Sequence, residues 1–171
     1  MAIASSDIKL RYSGGASNTV ANSSYGGAMS TVSGGIITTN VLNNDMDDIT
    51  SAEASSGITI YHNYYYKNEH GSLTYISPKF YIDVETSSGD TEVYMALVAE
   101  AKNVATTQLA NETTAPSGIT FTTPANYAGG IAIGSLDASD YRGIWVKYIV
   151  GSSASAALDS YTLGIQGDSN P

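Results

Sequence analysis

The feature that most constrains the fold is a recurring pattern of short runs with an apolar residue at every second position. Each run is closed by a cluster of Gly, Ser, Asn or Asp. A period of two buries one face of an extended chain, and turn-forming residues at such short intervals leave no room for long helices. Residues 7–12 set Ile8, Leu10 and Tyr12 against Lys9 and Arg11. Residues 58–67 carry Ile58, Ile60, His62, Tyr64 and Tyr66 on one face and Tyr61, Asn63 and Tyr65 on the other, a strand covered on both sides. Residues 74–84 place Ile76, Phe80, Ile82 and Val84 together, with Pro78 calling for an edge strand or a bulge. The turn Ser87-Ser88-Gly89-Asp90 then leads into residues 92–99, where Val93, Met95, Leu97 and Ala99 point inward, and the two runs read as a hairpin.

Residues 36–42, 119–122, 130–134 and 160–166 read as further strands, and 141–150, apolar on both faces, as a central one. Residues 49–54 fit one helical turn or a tight loop, capped by Thr50 or Ser51 with Glu53 in the first turn. The Ala-rich stretch 99–111 is compatible with a short helix. The segment Leu136-Asp137-Ala138-Ser139-Asp140-Tyr141-Arg142-Gly143 has the spacing of a tyrosine corner, in which Tyr141 bonds back to the connection before it. The sum predicts an all-β chain: a single antiparallel β-sandwich of jelly-roll or immunoglobulin-like type over residues 36–171, preceded by an N-terminal strand and a long arm within 1–35. That arm, residues 13–35, is rich in Gly, Ser and Asn and poor in large apolar anchors. A loop of this length either wraps over the domain or becomes ordered against a neighbour, so it is the first candidate for an assembly contact.

Charged residues are 13% of the chain, about half the roughly 25% usual in soluble domains. The surface must therefore be built from Ser, Thr, Asn and Gly. Such groups are cheaper to desolvate than ions, which suits a surface that becomes an interface. A net charge of −9, with seven isolated Lys and Arg, argues against nucleic-acid binding. No cysteine is present, so no disulfide framework or thiolate zinc site is expected. Neither a basic stretch followed by an apolar run nor an apolar run of about 20 residues occurs, and the expectation is a soluble chain made in a cytoplasm without a membrane anchor.

Nucleotide-loop, serine-elbow and zinc-helix patterns are absent, and the expectation is a protein that is not an enzyme and uses no cofactor. His62 sits mid-strand on an apolar face, and His70 in the turn Asn68-Glu69-His70-Gly71. Asp45, Asp47, Asp48 and Glu53 are the best metal candidates, since calcium takes six to eight oxygens, but they lack the order of a known calcium loop. A solvated loop and a helix N-terminus account for them more simply. Thirteen tyrosines against two phenylalanines point to contact surfaces, because a large ring with a water-tolerant hydroxyl suits an interface. The run Tyr61, Tyr64, Tyr65 and Tyr66 exceeds what one small core would hide, so Tyr12, Asn18, Tyr25, Tyr61, Tyr64, Tyr65 and Tyr66 are the interface candidates.

The opening Ser6-Asp7-Ile8-Lys9-Leu10-Arg11-Tyr12-Ser13-Gly14-Gly15-Ala16-Ser17-Asn18-Thr19 resembles that of small virion structural proteins of tailed bacteriophages. Residues 47–54, 66–74, 110–121, 141–146 and 159–168 fit the same type, so the likeness spans nearly the whole chain. The resemblance implies a virion location and supplies no catalytic residues. Within a virion two roles fit, and size with a single β-sandwich favours a head decoration (cement) protein, bound to the major capsid protein and self-associating as a trimer or other small oligomer. The alternative is a tail, collar or fibre component. A reading from another class is a carbohydrate-binding module whose exposed tyrosines stack on sugar rings.

Overall fold

The computed structural model describes residues 2–39, 41, 43–156 and 158–169. Seven strands form: β1 (Ile8–Tyr12), β2 (Ile58–Asn68), β3 (Tyr75–Val84), β4 (Thr91–Leu97), β5 (Ile131–Ala132), β6 (Tyr141–Val150) and β7 (Thr162–Ser169). Among the described residues the one α-helix, α1 (Ser51–Ser56), is a six-residue piece. Thr50 and Glu53 close a capping box at its start, Glu53 N–H donating to Thr50 Oγ1 (3.3 Å) and Thr50 N–H to Glu53 Oε2 (2.8 Å). Gly57, at φ +78°, ends it.

The strands make two antiparallel sheets, β1-β2-β6-β4 and β5-β3-β7. Between them lies one core, with Ile60, Tyr64 and Tyr66 from β2, Val93 and Met95 from β4, and Ile144, Val146 and Tyr148 from β6 on one side. Phe80 and Ile82 of β3, with Leu163 and Ile165 of β7, face them. Strands β3 and β4 therefore meet across the core, one in each sheet, and the hairpin expected over 74–99 does not form. β4 pairs instead with β6 (Met95 opposite Val146) and β3 with β7 (Phe80 opposite Ile165). Alternating apolar residues specify which face is buried and say nothing of which strand lies alongside. Pro78 is accommodated by a register shift between Ile76 and Lys79, with Ser77 at φ +47°.

The far face of the four-stranded sheet is also covered, by chain without regular structure. Trp145 (2% exposed), Ala96 and Val98 form a second cluster, overlaid by Leu109, Ile119 and Phe121 and flanked by Tyr61. Residues 99–111 are not helical; a turn at 101–104 leads to Thr106, which bridges to Gly27 of the arm, and to Leu109, which packs over this face. Backbone groups of this covering chain are met by the arm and the sheet: Gly27 N–H donates to Thr106 O (2.8 Å), Leu109 N–H to Tyr25 O (2.9 Å) and Tyr61 N–H to Glu112 O (2.7 Å). Of the strand expected over 36–42, the structure has a single bridge, Ile36 to Arg11, while Asn40 and Leu42 lie outside the described residues. Similarly, 119–122 contributes one bridge, Thr122 to Met95, and 130–134 the two-residue β5. The expected tyrosine corner is not made: the Tyr141 hydroxyl donates to the Asn103 carbonyl (2.9 Å), in the loop covering the far face. Among the described residues no helix is long and apolar enough to cross a membrane.

Candidate functional site

The arm, residues 13–35, is docked on its own chain. Its anchors are polar, which is why a search for apolar anchors misses them. The Asn18 amide donates to Ser13 O (2.6 Å), Val20 O (3.0 Å) and Ser24 Oγ (3.0 Å), curling the arm around one side chain. Ser30 N–H donates to Tyr12 O (2.8 Å) and its hydroxyl to Asn18 O (2.6 Å). Arg11 is buried beneath the arm, its Nη1 reaching Ser30 O (3.3 Å) and Val32 O (3.1 Å) while its other nitrogens bind the Glu69 carboxylate. Asn18 is thus an internal brace, and the Tyr25 carbonyl accepts from Leu109 N–H (2.9 Å).

Four of the interface candidates are core residues. Tyr64 and Tyr65 are 0% exposed, Tyr66 3% and Tyr12 5%. The expectation that such a run must spill onto a contact surface fails because β2 is buried on both faces and the Tyr64 and Tyr65 hydroxyls bond to backbone. Tyr65 reaches through the far face, donating to Gly27 O (2.6 Å) and accepting from Thr106 N–H (2.7 Å), with Thr106 Oγ1 at 3.0 Å. Tyr12 donates to the Asn44 carbonyl and Tyr64 to the Asp45 carbonyl. Tyr66, beside Phe80, has a buried hydroxyl without a partner among the described residues.

The loop 43–48 closes one end of the core over a polar cluster. The His62 Nδ1 lies 2.7 Å from Asp45 O and 2.9 Å from the Tyr64 hydroxyl; since a carbonyl only accepts, that nitrogen carries a hydrogen. The His62 Nε2 is 3.5 Å from the Glu112 carboxylate. Burial pushes the Asp45 carboxyl above its ordinary value, against the opposing pull of the Tyr161 hydroxyl and of His62. The Tyr161 hydroxyl faces that carboxyl without a well-formed hydrogen bond, and burial, reinforced by Asp45, drives its pKa well up. The cluster fastens loop to core, and no sequence pattern announced it because its members come from residues 12, 45, 62, 64, 112 and 161.

The four carboxylates proposed for a metal do not converge. Asp45 turns inward, Asp47 accepts from the Asn22 amide (3.0 Å), Asp48 from the Asn43 amide (3.1 Å), and Glu53 is held by Thr50. Among the described residues no group of three His, Asp or Glu side chains is placed to hold an ion. Beside Asp47, an open depression of about 330 Å³ runs between the arm and the loop, lined by Tyr12, Val20, Ala21, Asn22 and Asn43. A second, of about 260 Å³, lies over Trp145 between Glu100, Thr107, Leu109, Pro116 and Ile119.

Of the interface candidates, Tyr61 keeps a partly exposed ring on the outside of the four-stranded sheet. It packs on Phe121 (5.6 Å between centroids) in a cross-strand row with Lys147 and Tyr94. The Lys147 ammonium sits 3.7 Å from the Tyr94 ring centroid. On the outside of the three-stranded sheet the Tyr81 ring lies across Gly164, where an added Cβ would come within 2.7 Å of it. Comparison with protein-family models, with curated proteins and with solved structures finds no match.

Proposed function

We propose that this chain is a structural protein of a tailed-phage virion, a decoration protein on the head exterior that binds the major capsid protein and self-associates. The observation that carries the reading is the outer shell. Two long segments rich in Ser, Thr, Asn, Ala and Gly are folded by hydrogen bonds over a two-sheet core, leaving a rigid body whose surface is hydroxyl- and amide-rich and thinly charged. Such a surface can be covered by a neighbour at low desolvation cost. The acidic balance, −9 overall, suits an exterior position away from packaged DNA. In this reading the two sheets constitute a β-sandwich of jelly-roll or immunoglobulin-like type.

A tail, collar or fibre position rests on the same surface. The carbohydrate-module reading has less support, because the ring faces of Tyr61 and Tyr94 are engaged by Phe121 and Lys147. Gold-labelled antibody against the chain, applied to intact particles and imaged by negative stain, distinguishes these positions. Label on heads supports decoration, and label confined to tails moves the protein there. Absence of the chain from the peptide inventory of purified particles overturns the virion assignment.

A further inference from the structure

Among the described residues a backbone inventory of the sheet edges leaves one long strand open, besides the two-residue β5. The outer edge of β1 is closed by Ser30 N–H to Tyr12 O (2.8 Å) and Ile37 N–H to Leu10 O (2.8 Å). Where β2 runs past β1, Asn63 N–H donates to Ser24 O (2.5 Å) and Tyr61 N–H to Glu112 O (2.7 Å). Thr122 exchanges two bonds with Met95 on the outer edge of β4 (2.8 and 2.9 Å). In the other sheet, β3 beyond β5 is met by Pro124 and Leu136. Strand β7 pairs with β3 on one side and, among the described residues, with no strand on the other.

The ladder also says which groups are free. Ile82 N–H donates to Pro124 O (2.8 Å), so it points away from β7, and its partner Leu163 belongs to a non-hydrogen-bonded pair. By the alternation of an antiparallel ladder, the N–H and C=O of Leu163 and Ile165 point outward, into the open edge. An eight-residue edge of this kind is normally blunted by Lys, Pro or a covering loop, and Thr162–Ser169 holds neither Lys nor Pro.

We propose that β7 is the self-association edge, pairing antiparallel with β7 of a second copy across a two-fold axis at Ile165. The two three-stranded sheets then join into one of six strands. This register hydrogen-bonds Ile165 to its own copy and Leu163 to Gly167 of the other chain, and it engages seven of the eight residues of the strand. Thr162 stands opposite Asp168 of the other chain, a hydroxyl donor against a carboxylate, and no like charges face each other. The proposal deepens the self-association part of the virion reading, and it is tested on the isolated protein.

Both Thr162 and Asp168 are exposed, so substitutions there are expected to leave the fold intact, with circular dichroism as the check. Sedimentation equilibrium at low salt is expected to show a dimer. The Thr162→Asp variant sets two carboxylate pairs per dimer against each other and raises the dissociation constant roughly tenfold. Adding Asp168→Lys to Thr162→Asp restores dimerisation. Within one chain these residues are about 20 Å apart, six steps along a strand, so the rescue can act only between chains. Amide protection of Leu163 and Ile165 rises with protein concentration in the wild type. A wild type that stays monomeric at millimolar concentration overturns the pairing while leaving the virion reading to the labelling experiment. An oligomer indifferent to Thr162→Asp, or not rescued by Asp168→Lys, places self-association on another surface.

Discussion

Two adjacent tyrosines on β2, Tyr65 and Tyr66, are both buried, and removing a single oxygen from each should have opposite consequences. The Tyr65 hydroxyl makes contacts at 2.6, 2.7 and 3.0 Å, to Gly27 O, Thr106 N–H and Thr106 Oγ1. Tyr65→Phe keeps the ring and strands those groups, two of them main-chain, where water does not reach. At about 1 kcal/mol net for each contact, the cost is about 3 kcal/mol, or roughly 6–12 °C in Tm for a chain of this size. The Tyr66 hydroxyl is buried with no partner among the described residues, so Tyr66→Phe removes an unmet polar group and is neutral or stabilising by about 1 kcal/mol. Urea unfolding of the two variants beside the wild type, with m held common, gives both differences directly. Because Tyr65 ties arm to loop, its variant should also speed amide exchange at Gly27 and Leu109. Equal stability losses in the two variants would refute the claim that hydroxyl partners, and not ring volume, decide the outcome.

Trp145→Ala is expected to cost about 3–5 kcal/mol, since the indole floors the second cluster; a melting curve unchanged within error would place it outside the packing. Gly143→Ala on the central strand brings a methyl within 2.8 Å of Thr106 Oγ1 and 3.0 Å of Val98, both buried, and should lower stability by about 1–3 kcal/mol in the same assay. Burial raises the Asp159 pKa, but hydrogen bonds from Thr91, Ser87 and Ser160 outweigh it and hold the carboxyl below its ordinary 3.8. That stabilisation is present above the unfolded value and is lost as pH falls through the folded one. Asp159→Asn should therefore melt lower than wild type at pH 7, with the gap closing below about pH 4.

Much of the strand content was legible, because Ile8–Tyr12, Ile58–Asn68, Tyr141–Val150 and their like alternate or are apolar on both faces. The pairing was not. Phe80 and Ile82 read as neighbours of Val93 and Met95 along a hairpin, whereas they face them across the core. Periodicity records the direction of a side chain and leaves its partner open. The tyrosines were misread for a different reason. The sequence places them on a contact surface, but carbonyls of Gly27, Asn44 and Asp45 accept from the Tyr65, Tyr12 and Tyr64 hydroxyls inside the chain, and these come from segments that look unstructured in sequence. The same oversight hid the docking of the arm, where Asn18 and Ser30 do what a buried leucine does elsewhere. The cluster around His62 had no linear signal, being assembled from residues more than a hundred positions apart.

The register of β2 against β6 has a consequence for how the chain is made. Lys67 pairs with Tyr141 and Ile58 with Val150, separations of 74 and 92 positions (141 minus 67, 150 minus 58). At a synthesis rate of about 5–20 residues per second, the tyrosine-rich strand has left the ribosome for roughly 4–18 s before its central partner exists. During that interval its rings and its open ladder are available to any other strand, including those of neighbouring nascent chains. Yield in the cell should then respond to translation speed and to holding chaperones more than to the stability of the finished fold.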